Sequence, residues 1–294
     1  MIFKKNSKKK SKKNSKKESQ KQYLPSLLNT KAYNYKVYKF SLLEKILYTV
    51  FAFLAGAIVA YIFYGGIGKD SFGNVTNTTK MLNTIFMIAG GILAVVLFLP
   101  ARNKAIQEKN QIAIRNQFRD MLEALYTSLG SGKNVRNSFE SAREDLKLQY
   151  DEESFIIKEL NIIISGIQNN IDIEELLLDF GNRTGIDDIK TFSEIFKVTY
   201  RKGGNIKETI GNTKEIITEK MNIMEEIETM VTKNKTDQNI MVFMPVMMIG
   251  FIKFASSDFA ENFTSPIGIF ATTLGIVAFV SAYFIGKKIL SIKI

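Results

Sequence analysis

Residues Met81–Pro100 read MLNTIFMIAGGILAVVLFLP, a run without a single charge that leads straight into the polar segment opening at Ala101-Arg102-Asn103-Lys104. A helix that crosses a bilayer needs about 20 mostly apolar residues, so this run reads as a span. Three further apolar stretches, Ile46–Gly66, Ile240–Ala255 and Pro266–Gly286, complete two pairs, with about 140 polar, helix-patterned residues between the pairs. The third stretch is the shortest and is interrupted by Pro245 and Lys253. A buried core helix is the competing reading for each stretch, but the other three are apolar all round and carry no charge. The pattern predicts an all-α integral membrane protein with four transmembrane helices, two plus two, flanking a six-helix cytoplasmic bundle. Its divisions are a disordered basic tail over 1–44, a first hairpin over 45–100, a helical domain over 101–239, and a second hairpin with a short basic C-terminus over 240–294.

Charge sets the expected orientation. Residues 1–45 hold fourteen lysines, the segment between the pairs is rich in Lys and Arg, and Lys287, Lys288 and Lys293 follow the last span. The two short connections contain only Lys69 and Lys80 as bases, beside Asp70, Asp258 and Glu261. The positive-inside rule then places both termini and the central domain in the cytoplasm. The first 45 residues carry a balance of +12 against the chain's +11, which leaves the remainder at −1. The basicity belongs to the tail, densest over Lys4–Lys21 and written in Lys, Ser, Asn and Gln, a composition that buries no core. Lysines beside an anionic leaflet gain about 1 kcal/mol each, so the tail reads as a topology signal and a tether to anionic lipid, with an acidic partner as the other reading. Specific nucleic-acid recognition is not expected, because Lys without Arg or interleaved aromatics supplies charge and no base readout. The tail is also too long, and the next apolar run lacks the small-residue site, for a cleaved signal peptide.

Cys, Trp and His are all absent. That excludes disulfides and zinc–thiolate sites, and removes the commonest general base and the thiol nucleophile. The acidic residues are spread over helix faces and caps, so no catalytic, cofactor or metal site is assigned.

The central segment reads as six helices. Ile112, Phe118, Met121, Leu122 and Leu125 recur at helical spacing and extend the second span to Gly130-Ser131-Gly132. A second helix has Val135, Phe139 and Ala142 on one face and Asn134 as its cap. A third covers about Glu152–Ile167, and a fourth opens at Asp172 with Glu175 in the capping-box position. A fifth runs from about Thr184, with Asp187 three residues on, to Arg201. After Gly203-Gly204, Asn205 and Glu208 repeat the capping pattern and open a sixth helix striped by Ile206, Ile210, Ile217, Met221, Met224, Ile227 and Val231. No alternating segment is long enough for a sheet.

Several local motifs carry less. Ser131-Gly132-Lys133 lacks the Gly that a phosphate loop needs at Thr127 and the hydroxyl it needs at Asn134. Met241, Met244, Met247 and Met248 read as a packing surface. Lys253 lies near the outer end of its span, where a lysine snorkels to the interface. Ala271 with Gly275, and Ala278 with Ala282, give small-xxx-small spacing that permits close helix packing, within the chain or against a partner.

Two segments together carry a family resemblance: Leu129-Gly-Ser-Gly132-Lys-Asn-Val135-Arg-Asn-Ser138-Phe139, and Tyr200-Arg-Lys-Gly203-Gly204-Asn205-Ile206-Lys-Glu-Thr-Ile210. Over about residues 110–255 the chain resembles the type II secretion system F-domain family, in particular the tight-adherence (Flp-type) pilus platform proteins. The first segment is similar to that family's helix–turn–helix signature, and the second to the Gly-Gly-Asn turn that opens its last long helix. The resemblance implies a non-enzymatic platform in the bacterial inner membrane, engaged by a cytoplasmic hexameric ATPase that drives pilin-like subunits out of the bilayer. It also implies a paralogous platform chain or a homo-oligomer. Gly130, Gly132, Arg201, Lys202, Gly203, Gly204 and Asn205 form the motif turns, a structural role first, with presentation of Arg201 and Lys202 to a partner as the secondary, functional reading. A membrane-tethered scaffold or signalling protein would use the same bundle. A small transporter would need ionisable residues within its spans, and only Lys253 is available.

Overall fold

The structure, a computed structural model, describes residues 21–70 and 74–290. The lysine tail up to residue 20, and Lys293, lie outside the described residues. Nine helices occur among those described: α1 (Leu42–Tyr64), α2 (Asn77–Gly130), α3 (Val135–Lys147), α4 (Phe155–Gln168), α5 (Ile173–Thr184), α6 (Asp187–Arg201), α7 (Ile206–Ala255), α8 (Ser257–Thr264) and α9 (Pro266–Leu290). A two-stranded antiparallel hairpin, β1 (Tyr23–Pro25) and β2 (Lys31–Tyr33), precedes them. Four helical segments are long and apolar enough to cross a membrane: Leu42–Tyr64, the N-terminal part of α2, Thr236–Ala255 and Pro266–Gly286. The chain is an all-α membrane protein. It forms two compact units, one built from residues up to Lys39 with Asn103–Asn222, the other from Phe40–Arg102 with Ile223 onward.

The first unit is a helical bundle around one apolar core. Phe118, Met121, Leu122 and Leu125 of α2 are fully buried, as the spacing predicts. Ile112 is half exposed, and Ile114, one turn before Phe118, fills the place expected of it. Phe118 sits against Phe180 of α5 and Phe192 of α6, with ring centroids 6.0 and 5.4 Å away. Burying each such ring contributes about 1.5–3 kcal/mol. On α7 the stripe is buried at Ile210, Ile217 and Met221, whereas Met224 faces out, and the side chain of Val231 is outside those described.

Caps follow the sequence only in part. Asn134 accepts from the Asn137 amide at 2.8 Å, and Asn205 from the Glu208 amide at 3.1 Å. Asp172 makes no side-chain cap bond: the Glu175 amide donates to the Asp172 carbonyl at 3.0 Å instead, and the Glu175 side chain pairs with Lys197 at 2.7 Å. Thr184 does not start α6. It ends α5, followed by Gly185 at φ +68°, and its hydroxyl donates to the Gly181 carbonyl. The third bundle helix starts at Phe155, three residues later than expected, after a turn closed by the Ser154 amide on the Asp151 carbonyl.

Residues 21–39 depart most from expectation. Assigned to a disordered tail, they form the hairpin and pack on the bundle. The reason is compositional: past Lys21 the lysine run gives way to Tyr23, Leu24, Tyr33 and Tyr35, and aromatic side chains supply the burial that lysines cannot. Tyr35 is 2 % exposed. Its hydroxyl donates to Glu159 Oε1 at 3.0 Å, and Glu159 takes both ends of the Arg183 guanidinium at 2.6 Å. Arg183 also donates to the Tyr33 carbonyl at 3.1 Å and to Asp179 at 2.8 Å. Burial, then Glu159, push the Tyr35 hydroxyl well above its ordinary range.

In the second unit, α1 and α2 cross closely. A Cβ on Gly56 would lie 2.4 Å from Ala94 Cβ, and one on Gly90 would lie 2.5 Å from Ala60 Cβ. Pro100 and Pro245 sit inside α2 and α7. Each lacks an amide proton and so omits one rung of its helix.

Candidate functional site

Both turns singled out in the sequence lie at one end of the bundle, although about 70 residues separate them. α2 ends at Gly130, Ser131 closes back on Thr127, and Gly132 adopts φ +85°. α6 ends at Arg201, Gly203 adopts φ +69°, and the Gly204 amide donates to the Thr199 carbonyl at 2.8 Å. α7 then starts. Its first-turn Lys207 brings the corners together: Nζ lies 3.4 Å from where a Gly130 side chain would begin, and 5.2 Å from the Tyr126 ring centroid. Lys214 approaches the same ring at 5.2 Å and pairs with Glu123 at 2.8 Å.

The glycines here do different work. A side chain on Gly203 would meet nothing, so only its positive φ calls for glycine. Gly204 is needed for space, since a Cβ there would stand 2.8 Å from Thr199 Cγ2.

Arg201 and Lys202 differ as well. Arg201 is half exposed, but it donates to Glu174 Oε1 at 2.9 Å and to Glu175 at 3.4 Å, so it ties α6 to α5. The Glu174 hydrogen bond, against a smaller cost of desolvation, raises its pKa. Lys202 is exposed, together with Lys133, Arg136 and Lys207, none of which the sequence marked for a partner except Lys202. Glu140 and Glu208 stand on the same corners, and Glu174 and Glu175 stand there with Arg201. The result is an exposed surface rich in cations, whose backbone is fixed by two capped turns.

The membrane-embedded small residues fall out differently. Ala271, Ala278 and Ala282 of α9 are exposed, and a Cβ on Gly275 would meet nothing within 4 Å. This stripe therefore packs closely against no described helix. The close crossing is the one between α1 and α2, where Gly56 with Ala60 and Gly90 with Ala94 have the same i, i+4 spacing, a signal present in the sequence. Met241, Met244, Met247 and Met248 are likewise largely exposed on α7. Lys253 reaches a protein partner: Nζ donates to the Phe63 and Gly65 carbonyls at 3.1 and 3.4 Å, closing the C-terminal end of α1. Among the described residues no three His, Cys, Asp or Glu side chains converge as metal ligands.

No protein-family profile, curated protein or solved structure matches the chain.

Proposed function

We propose that the chain is a non-enzymatic platform of the bacterial inner membrane, serving a type IV or Flp-type pilus or a type II secretion machine. In this reading both termini and the bundle are cytoplasmic. A hexameric ATPase engages the cation-rich end of the bundle, and its work moves pilin-like subunits out of the bilayer beside a paralogous platform chain or a second copy. The carrying observation is the meeting of the two motif turns at one exposed, cation-rich end, on helices that continue as spans. α2 and α7 are each a single helix from that end to a transmembrane segment. Such rods, hydrogen-bonded along their length apart from the rungs that Pro100 and Pro245 omit, pass displacement from one end to the other.

The test is cross-linked purification of the tagged full chain from native membranes, read by mass spectrometry. A secretion-type ATPase with pilin-like or platform chains should be recovered, and should be lost in Lys133→Glu/Lys202→Glu/Lys207→Glu. Recovery of soluble signalling partners alone would replace this reading with that of a membrane-tethered scaffold.

A further inference from the structure

The last turn of α1 gathers polar side chains from every other membrane helix. A helix ends with about four carbonyls that its own amides leave unsatisfied, and hydrocarbon offers no water in their place. Here the Tyr61 carbonyl takes the Gly65 amide at 2.7 Å, while those of Phe63 and Gly65 take Lys253 Nζ of α7 at 3.1 and 3.4 Å. The Gly66 amide donates to Asn83 Oδ1 of α2 at 3.0 Å. Thr273 of α9 gives its own proton to the Ile269 carbonyl, so the Tyr64 hydroxyl is the donor to Thr273 Oγ1, at 3.0 Å.

Lys253 and Thr273 belong to the second hairpin, and the turn they reach belongs to the first. Lys253 is steadied from its own hairpin as well, since Nζ lies 5.2 Å from the centroid of the Phe263 ring in α8. Apolar contact alone drives helices together weakly in lipid, whose tails are as apolar as the side chains, whereas a polar side chain that finds its partner on another helix holds the two together. The need is greater here because an apolar groove lies between the hairpins, with Gly56 and Gly90 on one side and Ala271 and Gly275 on the other. A lysine at this position also meets the negative end of the α1 dipole. We propose that Lys253 is a latch that fastens the second hairpin to the first at the end of the short connections, with the Tyr64–Thr273 bond as its auxiliary. The latch goes beyond the platform reading, because it concerns how the spans are held together and not what they move.

The chain has no cysteine, so introduced pairs report without background. A Cβ on Gly250 of α7 would lie 3.8 Å from Ile62 Cγ2 of α1, within reach of a disulfide, whose Cβ atoms stand about 3.5–4.5 Å apart. Ile62→Cys/Gly250→Cys therefore reports on the joint between the hairpins. A Cβ on Gly286 of α9 would lie 3.9 Å from Gln238 Cγ of α7, so Gln238→Cys/Gly286→Cys reports on the second hairpin alone. Each pair, in the full-length chain, is oxidised in native membranes with and without Lys253→Met, which keeps the bulk of the side chain and removes its donors. Disulfide formation in the first pair should slow severalfold with Lys253→Met and by less with Thr273→Val, and the second pair should keep its rate. An unchanged first pair in Lys253→Met would overturn the proposal, because the joint would then hold without the lysine. Equal slowing of both pairs would overturn it too, because Lys253 would then support the second hairpin itself and not its attachment.

Discussion

Glu159 and Arg183 are the most consequential single side chains in the bundle. Both are almost completely buried and bind each other at both ends of the guanidinium. Breaking a buried pair from one side leaves the other charge unbalanced and costs about 3–5 kcal/mol. Arg183→Met, which strands the buried Glu159 carboxylate (Arg183 itself would keep Asp179 as a partner if Glu159 were removed), should therefore lower the stability of the full chain in detergent by that order, read by chemical denaturation. Glu159→Leu/Arg183→Met should recover most of the loss, and a double variant as unstable as the single one would contradict the account. Tyr35→Phe removes one bond to a charged acceptor and should cost about 1.5–3 kcal/mol. Tyr150 gives a pH signature. Burial first, then Asp120, whose carboxylate accepts its hydroxyl proton, push that hydroxyl up to about 12 from an ordinary 10. The folded state thus holds the proton more tightly than the unfolded chain, so this stabilisation is complete below pH 10 and disappears as pH rises towards 12. In Tyr150→Phe the fall in melting temperature across that window should be shallower than in the parent, and equal slopes would refute it. None of this was legible in the sequence, where Glu159 and Arg183 look like ordinary solvated helix charges and Tyr35 follows a lysine tail.

Elements were easier to read than their ends. Helical periodicity located all six bundle helices, because repeated burial on one face leaves a pattern in the chain. Capping was harder, since a carboxylate near a helix start has competing partners: Glu175 pairs with Lys197 across helices, while Asn134 and Asn205, which lack such partners, cap as their spacing predicts. The second turn separates conformation from space. Gly203→Ala should cost about 1–2 kcal/mol by forcing a side chain into left-handed backbone, and Gly203→Asn should cost less. Gly204→Ala should also destabilise, through Thr199 Cγ2, and Thr199→Ser should restore the loss at Gly204 but not the loss at Gly203. Thermal melts of the four variants decide this, and rescue at both positions would show that one steric cause serves them both. In the membrane segments, small-residue spacing marked α9 but also fits α1 and α2. Only the structure separates a stripe that packs from one that faces outward, because spacing alone does not say which face meets a neighbour.

At the level of the whole molecule, hydropathy made the four spans and the polar interval between them plain, since each span is continuous in sequence. The cation-rich end of the bundle was half legible: the glycine turns stood out, but Lys133, Arg136 and Lys207 join Lys202 only through folding. On the platform reading, α2 must remain one rod. A Gly-Gly-Ser-Gly insertion between Arg102 and Asn103 should abolish pilus or secretion output while leaving the melting of the bundle unchanged, and normal output would rule out transmission through that helix. The hairpin before α1 has a further consequence, for the order in which the protein is made. Tyr33 meets Arg183, 150 positions later. At synthesis rates of about 5–20 residues per second, roughly 8–30 s separate the two on the ribosome. The earliest part of the bundle to be translated is thus among the last to dock, and by then the nascent chain already contains both spans of the first membrane hairpin.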